Sequence, residues 1–409
     1  MATVRAFRAL RPRPEEAARV AAVPYDVIDV NEARALADGN PLSFLRVSRA
    51  ELELPPGTDP YAEAVYERAR ANFATLSDAA LEIEGEPRLY VYRLRMGAHV
   101  QTGLAGCFSI DEYDRDVIKK HERTRRDKED DRTRHMTALG AQTGPVFLTY
   151  KSDAAVESLT ARVMTEAPLY DFEAPDGVQH TVWRADASAS AGFSGAFERI
   201  PALYIADGHH RAASAARTWA AMRERGARGT RNGDAGPDTM LAVAFPHDQV
   251  QVLPYNRVVK DLAGQSPDAL VGRVREHFTI APGPATPTER GAIAMYLGGQ
   301  WQTLRAHPGH DGADPVARLD VSVLQDRLLS PVLGIGDPRT DKRIDSVGGA
   351  RGTAELERVV DSGRAAVAFS LFPVRVDDLM HVSDAGGMMP PKSTWFEPKL
   401  RDGLLIHVI

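Results

Sequence analysis

The chain has little that would staple it together, anchor it in lipid or mark it with a common catalytic signature. Its single cysteine, Cys107, excludes an intrachain disulfide framework and a multi-cysteine metal site. That cysteine lies in "GLAGCFSI", which reads as a buried strand in which it is a small apolar side chain. No apolar run reaches the roughly 18 residues of a membrane-spanning helix, and the opening residues show no signal-like apolar stretch. A cytoplasmic location without membrane contact is therefore expected. There is no G-x-S-x-G nucleophile elbow, no G-x-G-x-x-G dinucleotide loop and no fixed-period repeat. The net charge of -6 argues against a general nucleic-acid surface. The tryptophans and tyrosines read as core or groove residues, not as a stacking platform.

What is present is a chain of 409 residues, enough for two or three domains. Short apolar runs alternate with helical patterns throughout, which predicts an α+β protein of mixed sheets with packed helices. "RLYVYRLRMG" and "QTGLAGCFSI" predict a hairpin with one wetter face, and "YAEAVYERARANFATL" at 61–76 predicts an amphipathic helix. "RGARGTRNGDAGPD", residues 225–238, reads as an exposed loop. Composition suggests three regions: 1–115, 116–260 with the phosphate-binding chemistry, and 261–409.

The densest chemistry is "YIADGHHRAASAAR" at 204–217. A strand-like "PALYIA" meets the turn pair Asp207-Gly208, and an alanine-rich helix follows. His209, His210 and Arg211 then fall in the first helical turn, where backbone N–H groups lack intrahelical partners and the dipole favours an anion. Arginine can fork a phosphate, and glycine lets a ligand approach the backbone. Asp207 could orient a histidine, accept a proton or hold magnesium. Helix capping alone would also explain Asp207, but not the His-His-Arg behind it.

A second constellation is "IKKHERTRRDKEDDR", with Lys119, Lys120, His121, Glu122, Arg123, Thr124, Arg125, Arg126, Lys128 and Arg132. Opposite charges three or four apart describe a solvated helix, taken to open at "VIKKHERT". Glu122 is a suitable general base for a hydroxyl acceptor, with His121, Arg123 and Thr124 beside it as phosphate contacts. The segment is no zinc-protease signature, since no second histidine follows His121 by four residues. Three weaker loops are Pro24-Tyr25-Asp26, residues 336–345 with Arg339, Asp341 and Arg343, and "MPPKSTWFEPK" with Lys392, Ser393, Thr394 and Lys399. Lys-Ser-Thr matches the tail of a phosphate-binding loop, but the glycines upstream are missing, so it is no Walker A loop.

Taken together, "VRAFRALRP", "AAVPYDVI", "KKHERTRRDKEDDR", "YIADGHHR", "PVLGI" with "DKRIDSVGG", and "MPPKSTWFEPKLRDGLLI" resemble the uncharacterised bacterial family catalogued as domain of unknown function 1015. "ADGHHR" also resembles the phosphate-binding motif of the ParB/sulfiredoxin superfamily, in particular the "DGHHR" of free serine kinases. That resemblance implies a ParB/sulfiredoxin-like nucleotide-binding core. It implies a kinase that phosphorylates a small hydroxylated metabolite, free L-serine being one, from ATP or ADP with Mg2+; CTP is a further candidate. Asp207, Gly208, His209, His210 and Arg211 would then surround the phosphates, with Asp207 and His210 catalytic. Glu122 is the candidate base by its chemistry, not by match. The alternatives are a nucleotide-binding regulatory or DNA-associated module and a phosphatase. Oligomeric state stays open, a homodimer included.

Overall fold

In the computed structural model, residues 1–230, 234–308 and 314–409 are described. They form two compact units, one of residues 1–250 with 398–409 and one of residues 251–397. This differs from the three expected regions. Strands from both 1–115 and 116–260 lie in one sheet, and the last twelve residues return to the first unit.

The first unit is a nine-stranded mixed sheet. Its strands are β1 (Val4–Arg5), β2 (Tyr90–Met96), β3 (His99–Ser109), β4 (Ile118–Lys119), β5 (Val146–Tyr150), β6 (Tyr170–Glu173), β7 (Val178–Arg184), β8 (Leu203–Asp207) and β9 (Thr239–Pro246). They are arranged β4-β8-β5-β9-β3-β2-β7-β6, with β1 alongside β3. The pairs β4/β8 and β5/β9 are parallel, and the other neighbours are antiparallel. The expected hairpin 90–109 is present, and 170–184 forms a second one, but the wetter face is missing. β2, β3 and β7 are buried for most of their length on both faces. Tyr92 and His180 face each other there, Oη to Nδ1 at 2.8 Å.

Helices α1 (Glu63–Ala80), α2 (Arg126–Leu139), α3 (Ala154–Val163), α4 (Ala187–Phe197) and α5 (His209–Glu224) accompany the sheet. α5 buries Ala212, Ala213, Ser214 and Ala215, whose small side chains let it lie close to α2. Ser214 Oγ donates to the Glu129 carbonyl of α2 at 3.1 Å. The main core joins Leu148 and Ile205 from the central strands to Phe193 and Phe197 from α4. Of the loop 225–238, residues 231–233 lie outside the described residues; on either side, Thr230 N–H donates to Asp238 and Ala235 N–H to the Ala6 carbonyl. The second unit has a six-stranded sheet with its own apolar core, including Leu270, Met295, Leu304 and Phe369. Among the described residues no helix is long and apolar enough to cross a membrane.

Glycine in a strand interior marks a close approach of backbone. A Cβ on Gly103 would stand 2.7 Å from the Ala244 carbonyl oxygen of the adjacent β9. Backbone in a central sheet cannot give way as a side-chain tip can. Gly103→Ala is therefore expected to destabilise the chain by about 2 kcal/mol. A urea midpoint equal to that of the unsubstituted protein would refute this account.

Candidate functional site

The site begins where β8 ends. The pairing of β8 with β5 shifts register between Ile205 and Asp207, and Gly208 then turns the chain with φ +91°. A Cβ at Gly208 would also meet the Arg211 guanidinium at 3.0 Å, so glycine is required on two counts. Among the described residues no side chain caps α5. Asp207, expected as a possible cap, instead accepts from Gly208 N–H at 2.8 Å and from Lys399 Nζ at 2.9 Å. Arg211 Nη2 stands 4.0 Å away. Burial alone would raise the Asp207 carboxyl, but Lys399 and Arg211 outweigh it and hold it well below the usual carboxylate range. Asp207 is thus a weak proton acceptor.

The same pairing tests the expected magnesium. A carboxylate with an ammonium at 2.9 Å and a guanidinium at 4.0 Å is already neutralised. Asp207 does not fit as the anchor of a divalent ion, and no step is assigned to one.

Arg211 is 8% exposed, and its Nη1 donates to the Pro145 carbonyl. Its guanidinium is turned into the protein, so the expected open phosphate fork does not fit this setting. Near it lie Tyr25, Arg132 and Asp402, around a cavity of about 40 Å³ that Gly144 and Val146 also line. Arg132 stacks on the Tyr25 ring at 4.0 Å and donates to Asp131 at 2.9 Å. The Pro-Tyr-Asp turn thus belongs to this charged cluster.

The "HERT" residues were expected at the start of a helix, but α2 starts only at Arg126. Ile118 and Lys119 pair in parallel with Leu203 and Tyr204, which carries residues 120–125 as a loop alongside the junction. Two backbone contacts hold it there. His121 N–H points to His209 Nε2 at 3.4 Å, and Arg125 N–H donates to His210 Nε2 at 3.0 Å. The His121 and His209 rings meet edge to face with centroids 4.4 Å apart. His209 Nδ1 is 3.9 Å from a carboxylate oxygen of Glu122, whose side chain is 45% exposed. Burial lowers His209 well below the ordinary histidine range and His121 to about 4; His210 is lowered too, chiefly by burial. All three imidazoles are neutral at pH 7.

The structure therefore brings together Asp207, Gly208, His209, His210, Arg211, His121 and Glu122. Arg123 is exposed on the same loop, and Thr124 Oγ1 is bonded to Glu129. Lys392, Ser393 and Thr394 belong to the second unit. There the buried Arg257 donates to the carbonyls of Pro391 and Lys392, each at 3.0 Å, and Lys392 sits over the Tyr255 ring. Arg339 and Arg343 pair locally with Asp337 and Asp341.

Sequence reasoning missed Asp402. It is 4% exposed, Oδ1 has no hydrogen-bond partner among the described residues, and a Cβ on Gly144 would come within 2.5 Å of that oxygen. Its Asp-Gly pair reads as an ordinary turn, so only the fold reveals the burial.

These features define a mixed α/β protein with a charged strand-to-helix junction that presents an uncapped helix start. The chain belongs to the family described as "Protein of unknown function (DUF1015)", which matches residues 4–322. No curated protein matches it. Among solved structures it is similar to "Free serine kinase in complex with AMP", at 15% identity and TM-score 0.36, covering 73% of this chain and 92% of that one. A conserved hypothetical protein from Pyrococcus furiosus is similar at 14% identity and TM-score 0.36, covering 74% and 95%. SbnI with C-terminal truncation from Staphylococcus aureus is similar at 13% identity and TM-score 0.38, covering 74% and 87%.

Burial pushes the Asp402 carboxyl up to about 7, against the downward pull of Arg211. Unfolded, it would titrate near about 3.9. The folded state therefore holds the proton more tightly, and this group's contribution to stability is full below pH 4 and lost as pH rises to 7. The stability of Asp402→Asn relative to the natural chain should rise over that window by up to about 4 kcal/mol and level off above it. Denaturant curves at pH 4, 5.5, 7 and 8.5 check the trend; a pH-independent difference would refute the buried carboxyl's role.

Proposed function

We propose that the chain binds a nucleotide through its phosphates at the Asp207–Arg211 junction and transfers a phosphoryl group to a small hydroxylated metabolite. The observation that carries this reading is the uncapped start of α5, with Gly208 in the left-handed region and Lys399 beside it. First-turn N–H groups and a fixed ammonium suit a polyanion. Arg211 contributes as a buried charge that keeps Asp207 ionised and Lys399 in place. Glu122 is the base, because Asp207 is held ionised by two cations while Glu122 is half exposed beside His209. The work of catalysis on this reading is positioning and charge neutralisation.

The "DGHHR" resemblance makes ATP, ADP and free L-serine the first ligands to try. Calorimetry should show millimolar or tighter binding of at least one nucleotide. Lys399→Ala should weaken it about tenfold or more, as expected for loss of a charge-assisted contact. Glu122→Gln should leave nucleotide affinity within about threefold and lower phosphoryl transfer to serine, followed by phosphorus NMR, by about 100-fold or more. Absence of binding by ATP, ADP, CTP and pyrophosphate sinks the reading. Release of inorganic phosphate from phosphoserine without nucleotide would replace it with hydrolysis.

A further inference from the structure

We infer that His121, Glu122 and His209 form a binding site for a single transition-metal ion of the zinc, cobalt or iron(II) type. One ligand atom from each lies within 4.8 Å of the other two. Ligand atoms sharing an ion at about 2.1 Å stand no more than about 4 Å apart, so closure needs a shift of roughly 1 Å. The flexible member is the half-exposed Glu122. The rigid members are the two histidines, each no more than 5% exposed.

His121 supplies the second, independent reason. It is 1% exposed, yet neither ring nitrogen makes a hydrogen bond of normal geometry among the described residues. The Ile205 carbonyl lies beside one of the ring nitrogens. A buried imidazole with a nitrogen left unsatisfied is costly. An ion on one nitrogen would satisfy it and leave the other to face a carbonyl, the usual arrangement behind a metal-bound histidine.

The donor set decides the class of ion. Two neutral imidazoles and one carboxylate suit zinc, cobalt and iron(II), whereas magnesium prefers oxygen ligands and retains water. Three protein ligands leave coordination positions open. In the metal-free form, His209 Nε2 faces the His121 N–H at 3.4 Å, so its proton sits on Nδ1, toward Glu122. When an ion takes Nδ1, that proton passes to Nε2, the contact with the His121 N–H is lost, and the loop must turn that N–H away from the new donor. Binding thus exchanges the tautomer without changing the proton count on His209. Occupation would also take Glu122 out of the role of base proposed above, so metal-loaded and phosphoryl-transferring forms exclude each other. This last consequence rests on the kinase reading; the binding does not.

The test uses the full chain stripped with chelator and titrated with Co2+, then with Zn2+, without nucleotide. The expected result is one visible-band cobalt equivalent with nitrogen and oxygen ligands and no sulfur charge-transfer band. Zinc should displace it, and millimolar Mg2+ should not. Glu122→Gln, a half-exposed change that leaves the core intact, should weaken cobalt binding at least tenfold, and His121→Ala at least as much. Circular dichroism confirms that both variants fold. Absence of a stoichiometric cobalt band overturns the inference, as does unchanged affinity in Glu122→Gln. Phosphoryl transfer is not measured here, so either reading can fail alone.

Discussion

The ion pair between Asp207 and Lys399 ties the site together, because it joins the end of a central strand to residues 192 positions later. Without Lys399, Asp207 would be a largely shielded carboxylate facing only the buried Arg211 and one backbone N–H. With it, the carboxylate stays ionised, Gly208 N–H is held, and the first turn of α5 keeps its direction. The pair is one of the contacts that hold the last twelve residues in the first unit. Ala22 and Asp402 bridge backbone to backbone, and His407 pairs with Gln142, so the returning segment is fixed at two further points after the lysine.

Charge is distributed here in two layers. Arg211, Arg132 and Asp402 lie within the protein around a small cavity, and the buried Asp131 accepts from Arg132. Glu122, His210 and part of Asp207 face outward. The inner layer is a costly arrangement: buried ion pairs rarely exceed their desolvation penalty. Its worth lies in fixing the outer layer, since Arg211 cannot move without disturbing both Asp207 and the Pro145 carbonyl.

The junction itself was legible in the sequence. An apolar aromatic run, an Asp-Gly pair and an alanine-rich run have few alternatives to strand, turn and helix, and β8, Gly208 and α5 follow that order. The site's second half was not legible in the same way. Residues 119–125 have the composition of a helix, and spacing alone placed them in one. A pairing with β8 draws Ile118 and Lys119 into the sheet instead, and local propensity yields to that long-range contact. The burial of Arg211 and Asp402 was equally hidden, because single-residue polarity says "outside" for both. The second unit's Lys392-Ser393-Thr394 looked like ligand chemistry by composition. The structure explains their fixed pose by Arg257, an arginine within a strand that no local pattern distinguishes.

The loop placement has a chemical consequence that the sequence spacing could not carry. In a helix, His121 and Glu122 would diverge by about 100° and only one could face the junction. As a loop held by His209 and His210, both can approach the same imidazole. The adjacent histidines are divided between two tasks. His210 accepts a 3.0 Å bond that anchors the loop at Arg125, while His209, one residue earlier, turns toward His121 and Glu122. A helix places consecutive side chains on different faces, so a His-His pair at the first turn of α5 can serve the loop at two points. The doubled histidine therefore has a structural reason that capping does not provide, and the same reason sets an imidazole–carboxylate cluster beside the uncapped helix start.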